Sequence, residues 1–245
     1  MKKKILFINP NKWGRGITTI WIPSHAGILK RDNNIVELFD ATFFSKWSDY
    51  EVDVNTKNKQ FKKTDYYKRV LLNHEDVKES LQTLIDSFKP DIIFSSGISS
   101  HIHGEGEYIN IQYAYELIKD LKFKSLLIFG GLQSTANPEL ILTKMPRVNY
   151  LISGESEIIL KEIAKYYPNK NKIEKLKGIN FLKENKLIKN SRQKIIDNMD
   201  DISPYDYSLF DNQVFIRPYN GKLLRAVDYE LSRGCIVHAV IVLRL

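Results

Sequence analysis

Ser125-Leu-Leu-Ile-Phe129 runs straight into Gly130-Gly131-Leu-Gln-Ser-Thr-Ala-Asn-Pro138, an apolar run followed by two glycines and a string of small polar residues. An apolar run of this length without polar alternation is a strand covered on both faces, and the glycines mark the turn out of it. The same cadence recurs on either side. Upstream, Asp91-Ile-Ile-Phe-Ser-Ser96 opens onto a small-residue loop from Ser95 to His103. Downstream, Tyr150-Leu-Ile152 runs into Ser153-Gly154-Glu155-Ser156-Glu157. Lys4-Ile-Leu-Phe-Ile8, ended by Asn9-Pro10, and Asn34-Ile-Val-Glu-Leu-Phe-Asp40 give two earlier strands.

Helices alternate with these strands. Val77, Leu81, Leu84, Ile85 and Phe88 recur at helical spacing until Lys89-Pro90 stops them. Further helices are expected near 24–31 with Ser24 as N-cap, near 107–120, after Pro138 to about Thr143, and from about 157 to Tyr167. Residues 45–69 are polar, aromatic and irregular, and no element is assigned there. Strands apolar on both faces and separated by helices define an α/β fold: an open parallel five-stranded sheet with helices on both faces. In such sheets ligands bind outside the carboxyl ends of the strands, where the Gly-, Ser- and Asn-rich loops fall. After Pro168 the pattern changes to a small hairpin over 178–189 and a turn-rich Asp200-Asp-Ile-Ser-Pro-Tyr-Asp-Tyr207.

Composition narrows the class of protein. The 245 residues are 43% hydrophobic and 27% charged, which is globular usage. A mean hydropathy of −0.31 and the lack of a long apolar run exclude a membrane-spanning chain, and the four-residue apolar stretch after Lys4 is too short for an export signal. A single cysteine, Cys235, excludes a disulfide scaffold and points to a reducing cytoplasm. The net charge of +8 is concentrated in residues 161–200, where eleven Lys/Arg face five Asp/Glu. That stretch has few aromatic side chains on which bases could stack, so it reads as a solvated face and argues against nucleic acid.

Four loops could carry chemistry. Gly130-Gly131 either lets a ligand approach the backbone or simply makes a tight turn, and no G-x-G-x-x-G follows the first strand. Ser95, Ser96, Ser99 and Ser100 beside Gly97 offer hydroxyls or form an ordinary loop. Glu155 and Glu157 suit a helix N-terminus. His101 and His103, with Glu105 and Glu107, give two imidazoles without a defined third metal ligand.

Taken in order, these segments resemble the radical SAM enzymes that carry a cobalamin-binding domain. The matching residues are Ile8-Asn9-Pro10, the serine loop after Pro90-Asp91, Phe129 to Glu139, and Ser153 to Glu157. Asp200 to Tyr207 is similar to the bridge between that family's two domains, and Glu230-Leu-Ser-Arg-Gly-Cys235 to the first half of its cluster motif. The resemblance spans residues 4–235. It implies a Rossmann-like (flavodoxin-like) domain over 1–168, a C-terminal α+β linker with its hairpin over 169–228, and the start of a radical SAM domain over 229–245. It further implies that the protein's partner is cobalamin, contacted by Asn9, Gly97, Ser99, Ser100, Gly130, Gly131, Gln133, Ser134, Gly154 and Glu155.

For the whole enzyme the resemblance implies S-adenosylmethionine-dependent radical chemistry, often methyl transfer, at a [4Fe–4S] cluster on C-x3-C-x2-C. Cys235 would be the first metal ligand of that motif, but the next two positions are Ala239 and Val242. The expectation is therefore a truncated fragment without turnover of its own. A one-base slip after Ile236 would account for the tail, because the codons of Val237 to Val242 in a shifted register permit Thr-Cys-Ser-Tyr-Cys. The loop Asn9–Gly16 contains no histidine, so cobalt would take none from it; His25, His101 or His103 could approach its lower face, but the sequence does not place them. Two alternatives stand beside this one. A non-enzymatic flavodoxin-like module would bind another ligand or a protein. The related methylthiotransferases would need cysteines before Cys235, and the sequence has none there.

Overall fold

Lys4–Asn9 forms β1, and five of its six side chains are buried because it lies inside a sheet covered on both sides. The computed structural model describes residues 2–48, 64–97, 110–202, 204–230 and 233. After β1 come α1 (Trp21–Arg31), β2 (Ile35–Asp40), α2 (Val77–Phe88), β3 (Ile92–Gly97) and α3 (Ile111–Ile118). The chain continues through β4 (Leu126–Gly131), α4 (Leu132–Ala136), α5 (Pro138–Lys144), β5 (Tyr150–Ile152), α6 (Glu157–Tyr166) and α7 (Lys170–Ile173). Two hairpins complete the described chain: β6 (Ile179–Lys183) with β7 (Lys186–Lys189), and β8 (Ile216–Tyr219) with β9 (Lys222–Arg225).

The main sheet runs β2-β1-β3-β4-β5-β6-β7. Its first five strands are parallel, in the doubly wound order whose direction of winding reverses between β1 and β3. Alternate side chains feed two cores. Ile5, Phe7, Ile92, Phe94 and Ile128 pack under α1 and α6, while Leu6, Ile8, Ile93, Leu127 and Phe129 pack under α2, α3 and α5. Helices on both faces explain why these strands read as unbroken apolar runs.

The five expected parallel strands are all present, and the hairpin anticipated at 178–189 extends their sheet to seven by pairing antiparallel with β5, placing Asn180 opposite Leu151. Without it β5 would be an open edge, and Ile179 and Phe181 would leave the core they share with Tyr150. Ser24 does not cap α1, which starts three residues earlier at Trp21. Pro23 fits the first turn of a helix, where no N–H is needed, so it does not delay the start. The β8–β9 hairpin had no clear signature in the sequence. Among the described residues no helix is long and apolar enough to cross a membrane.

Candidate functional site

The five parallel strands place Asn9, Asp40, Gly97, Gly131 and Ser153 along one edge of the sheet. At the end of β1, Asn9 is fully buried and donates from Nδ2 to Asp40 Oδ1 at 3.1 Å. Thr42 donates to the same carboxylate oxygen from its backbone N–H, at 3.0 Å, and from its hydroxyl, at 2.5 Å. Burial pushes the Asp40 carboxyl above its ordinary range, and the Thr42 and Asn9 hydrogen bonds only partly offset it. Among the described residues Asn9 Oδ1, Asp40 Oδ2, Thr19 Oγ1 and Gln133 Oε1 are buried atoms with no hydrogen-bond partner. Buried polar atoms are rarely left this way, and these four fall at two strand ends, in the loop before α1 and in α4.

Loop geometry follows from short-range bonds. Asn11 Oδ1 accepts from Trp13 N at 2.9 Å, and Asn11 Nδ2 reaches Arg15 O and Thr42 Oγ1. Gly16 N donates to Tyr66 Oη at 2.9 Å, and burial pushes that phenol up to about 12. Beside this loop, the Lys12 ammonium lies 4.6 Å from the ring centres of both Trp47 and Tyr113. Trp47 Nε1 donates to Pro10 O at 3.2 Å. Sequence reading missed this cation–π group because Trp47 falls in the unassigned stretch and Tyr113 in a helix, far from Lys12 in sequence.

On the β4–β5 side the rim is knitted by hydroxyls. Ser134 Oγ and Thr135 Oγ1 donate back to Gly130 O and Gly131 O, Gly154 N donates to Thr135 Oγ1 at 2.8 Å, and Asn180 Nδ2 donates to Ser153 Oγ at 2.7 Å. Ser134 is thus a buried structural residue. A Cβ on Gly131 would lie 2.3 Å from Gly97 O, and one on Gly130 would press on the Phe94 ring, so their bare backbones serve internal packing. Gly154 differs: it holds φ of 82° with nothing within 4 Å of a would-be Cβ. Asn9, Gly97, Gly130, Gly131, Gly154 and Glu155 lie on strands or loops of this edge, and Gln133 and Ser134 in the short helix α4 that follows β4. Ser99, Ser100 and Cys235, with His101 and His103, lie outside the described residues.

His25 belongs to the core. Its Nδ1 is 2.6 Å from Trp21 O, its Nε2 is 2.8 Å from Ser156 Oγ, and its ring lies 5.1 Å from that of Phe94. Burial lowers its pKa, so it is neutral near pH 7. Both ring nitrogens being engaged, it is not a free ligand for cobalt. Next to it, Glu157 is 3% exposed and accepts from Ser24 Oγ at 3.1 Å and Arg233 Nη2 at 2.5 Å. Burial alone would raise the Glu157 carboxyl; the neighbouring cations hold it below the usual range, Arg233 doing so while His25 is neutral. Among the described residues no group of three or more His, Cys, Asp or Glu could hold a metal ion.

No family model matches the chain. It is 24% identical over 237 residues to the anaerobic magnesium-protoporphyrin IX monomethyl ester cyclase of Cereibacter sphaeroides, covering 95% of this chain and 33% of that one. The Synechocystis cyclase of the same description is 28% identical over 110 residues, which is 45% of this chain and 21% of the relative. Among solved structures, the radical S-adenosylmethionine methyltransferase TsrM of Kitasatospora setae, with cobalamin and a [4Fe–4S] cluster bound, superposes with a TM-score of 0.56 at 16% identity. That match covers 81% of this chain and 30% of TsrM. The cobalamin-dependent S-adenosylmethionine radical enzyme OxsB gives 0.50 at 15% identity, over 79% of this chain and 23% of OxsB. The chain thus spans a third or less of the length of each of these proteins. It is a relative in sequence of the anaerobic cyclases and shares its α/β fold with cobalamin-dependent radical SAM enzymes, the family its ordered loop motifs resemble.

Proposed function

We propose that this chain holds cobalamin at the carboxyl edge of its parallel sheet, as the cofactor-bearing part of a radical SAM enzyme. The observation that carries this reading is the set of unpartnered buried atoms there, above all the acceptors Asn9 Oδ1 and Gln133 Oε1. A corrin is fringed with carboxamides, whose N–H groups supply the donors these acceptors lack. The open αL turn at Gly154 leaves backbone unshielded at the same edge. When bound, cobalamin would supply a cobalt-carried methyl group, the chemistry implied for a methyltransferase of this family. Three thiolates are needed to hold a [4Fe–4S] cluster with one open iron, and the 245 residues contain one cysteine. The residues present do not fit that cluster, so these residues alone should bind cofactor without turnover.

Titration with hydroxocobalamin tests the reading. A saturable shift of the corrin spectrum that survives gel filtration is expected, and Gln133→Leu should weaken it about tenfold, the loss of one buried hydrogen bond. Protein that stays colourless beside excess cobalamin overturns it. That outcome would favour a flavodoxin-like module for another ligand or a protein, a reading supported by the inward packing of Gly130 and Gly131.

A further inference from the structure

Arg233 brings three carboxylates to one guanidinium. Its Nη2 lies 2.5 Å from Glu157 Oε1, its Nε 2.8 Å from Glu230 Oε2, and its Nη1 3.4 Å from Glu155 Oε1. Two of these partners are 76 and 78 residues away in sequence and belong to the β5–α6 turn at the carboxyl edge of the sheet. Glu157 is nearly inaccessible, and a carboxylate taken out of water is stable only when paired and hydrogen-bonded. Ser24 Oγ supplies one further bond to it, but among the described residues Arg233 is the only cation within ion-pair distance of it.

The neighbouring chain is tied down in the same way. Asp228 N donates to Thr18 Oγ1 at 2.7 Å, Arg217 pairs with the Asp228 carboxylate, Tyr207 Oη donates to Asp228 O at 2.6 Å, and Tyr205 Oη donates to Glu230 Oε2 at 3.1 Å. Each contact fastens Asp228 or Glu230 to the loop after the first strand or to the segment over 205–217. Glu155 is held from a second side, since Ile196 N donates to its other carboxylate oxygen.

We infer that Arg233 is a positioning residue: seated on Glu155 and Glu157, it sets where the stretch that carries Cys235 begins relative to the carboxyl edge of the sheet. Cys235 follows two residues later in sequence. The two glutamates of the Gly154-Glu155-Ser156-Glu157 turn then serve as the receptor for this arginine, a task beyond helix N-terminal charge. The inference rests on the radical SAM reading only for the meaning of Cys235; the arginine seat itself does not.

Cys235 is the single cysteine of the chain, so a nitroxide spin label attached to it reports on the seat directly. The full chain is measured without cobalamin. Wild type should show a slow-motion spectrum. Arg233→Ala and Glu157→Gln should shift it to fast motion, and Arg233→Lys, which can reach one carboxylate but not three, should fall between them. Arg233→Ala changes no residue of the sheet, so it remains informative if Glu157→Gln fails to fold. Superimposable spectra for wild type and Arg233→Ala would overturn the inference. Loss of cobalamin binding with the spectral shift intact removes the cofactor reading and leaves the seat standing, whereas binding without the shift does the reverse.

Discussion

Gly131 and Gly154 both hold positive φ, at 91° and 82°, yet their surroundings are opposite. An alanine at Gly154 meets only the backbone penalty of the left-handed region, about 1–2 kcal/mol. At Gly131 the same penalty is joined by a Cβ placed 2.3 Å from Gly97 O and 2.9 Å from Ser96 Oγ, so β3 and β4 must part. Chemical denaturation should therefore rank Gly131→Ala as clearly more destabilising than Gly154→Ala; equal losses would show that β3 and β4 yield without strain. His25 and Glu157 give a pH signature with one sign. His25 has its pKa lowered by burial, so below the unfolded value near 6.5 the unfolded chain binds the extra proton and stability falls as pH drops. The depressed Glu157 contributes stability above its unfolded value near 4.5 and loses it as pH falls toward about 2. Urea midpoints should decline from pH 6.5 downward, and His25→Gln should remove the upper part of that decline.

Among the elements, α2 was the most legible. Val77, Leu81 and Ile85 are its buried stripe, and Asp76 caps it by accepting from Lys78 N at 2.8 Å and Glu79 N at 3.1 Å. Asp76→Ala should lower stability by about 1 kcal/mol, the usual worth of such a cap, read as a lower denaturation midpoint at constant slope. The β6–β7 hairpin was legible as a hairpin but not as part of the sheet. Its turn residues Glu184 and Asn185 have φ of 51° and 61°, the two-residue geometry that favours Asn-Gly. Which strand it would join depends on the exposed edge of β5, and a local pattern holds no record of that edge. The short strand β5 itself was found because all three of its residues are apolar, whereas β8 and β9 are mostly half-exposed or exposed and leave no periodic trace.

Across the whole molecule, the segment after β7 folds back over α1. Asp206 N donates to Pro23 O at 2.9 Å, Lys30 pairs with Asp206 at 2.9 Å, and Arg31 donates to Asp201 O at 2.6 Å. Gly27 faces this segment so closely that a Cβ would lie 2.0 Å from Pro204 O. Alanine ordinarily strengthens a helix interior by about 1 kcal/mol over glycine. Here Gly27→Ala should instead reduce stability and open the segment around 204–208 to proteolysis; a stabilised, protease-resistant variant would show that the contact is slack.

The parallel α/β sheet, the glycine- and hydroxyl-rich loops at its carboxyl edge and the family resemblance were all set by the sequence itself. A strand buried on both faces must be apolar throughout, and glycines and hydroxyls cluster where such strands end. The roles of individual rim residues were decided only by tertiary structure. Ser134 turned inward to Gly130 O, His25 was locked in the core, and Arg233 met carboxylates 76 and 78 residues away. A hydroxyl, an imidazole or a guanidinium carries the same local signature whether it faces a ligand or its own fold. Its partner is chosen by which strand ends the sheet brings side by side.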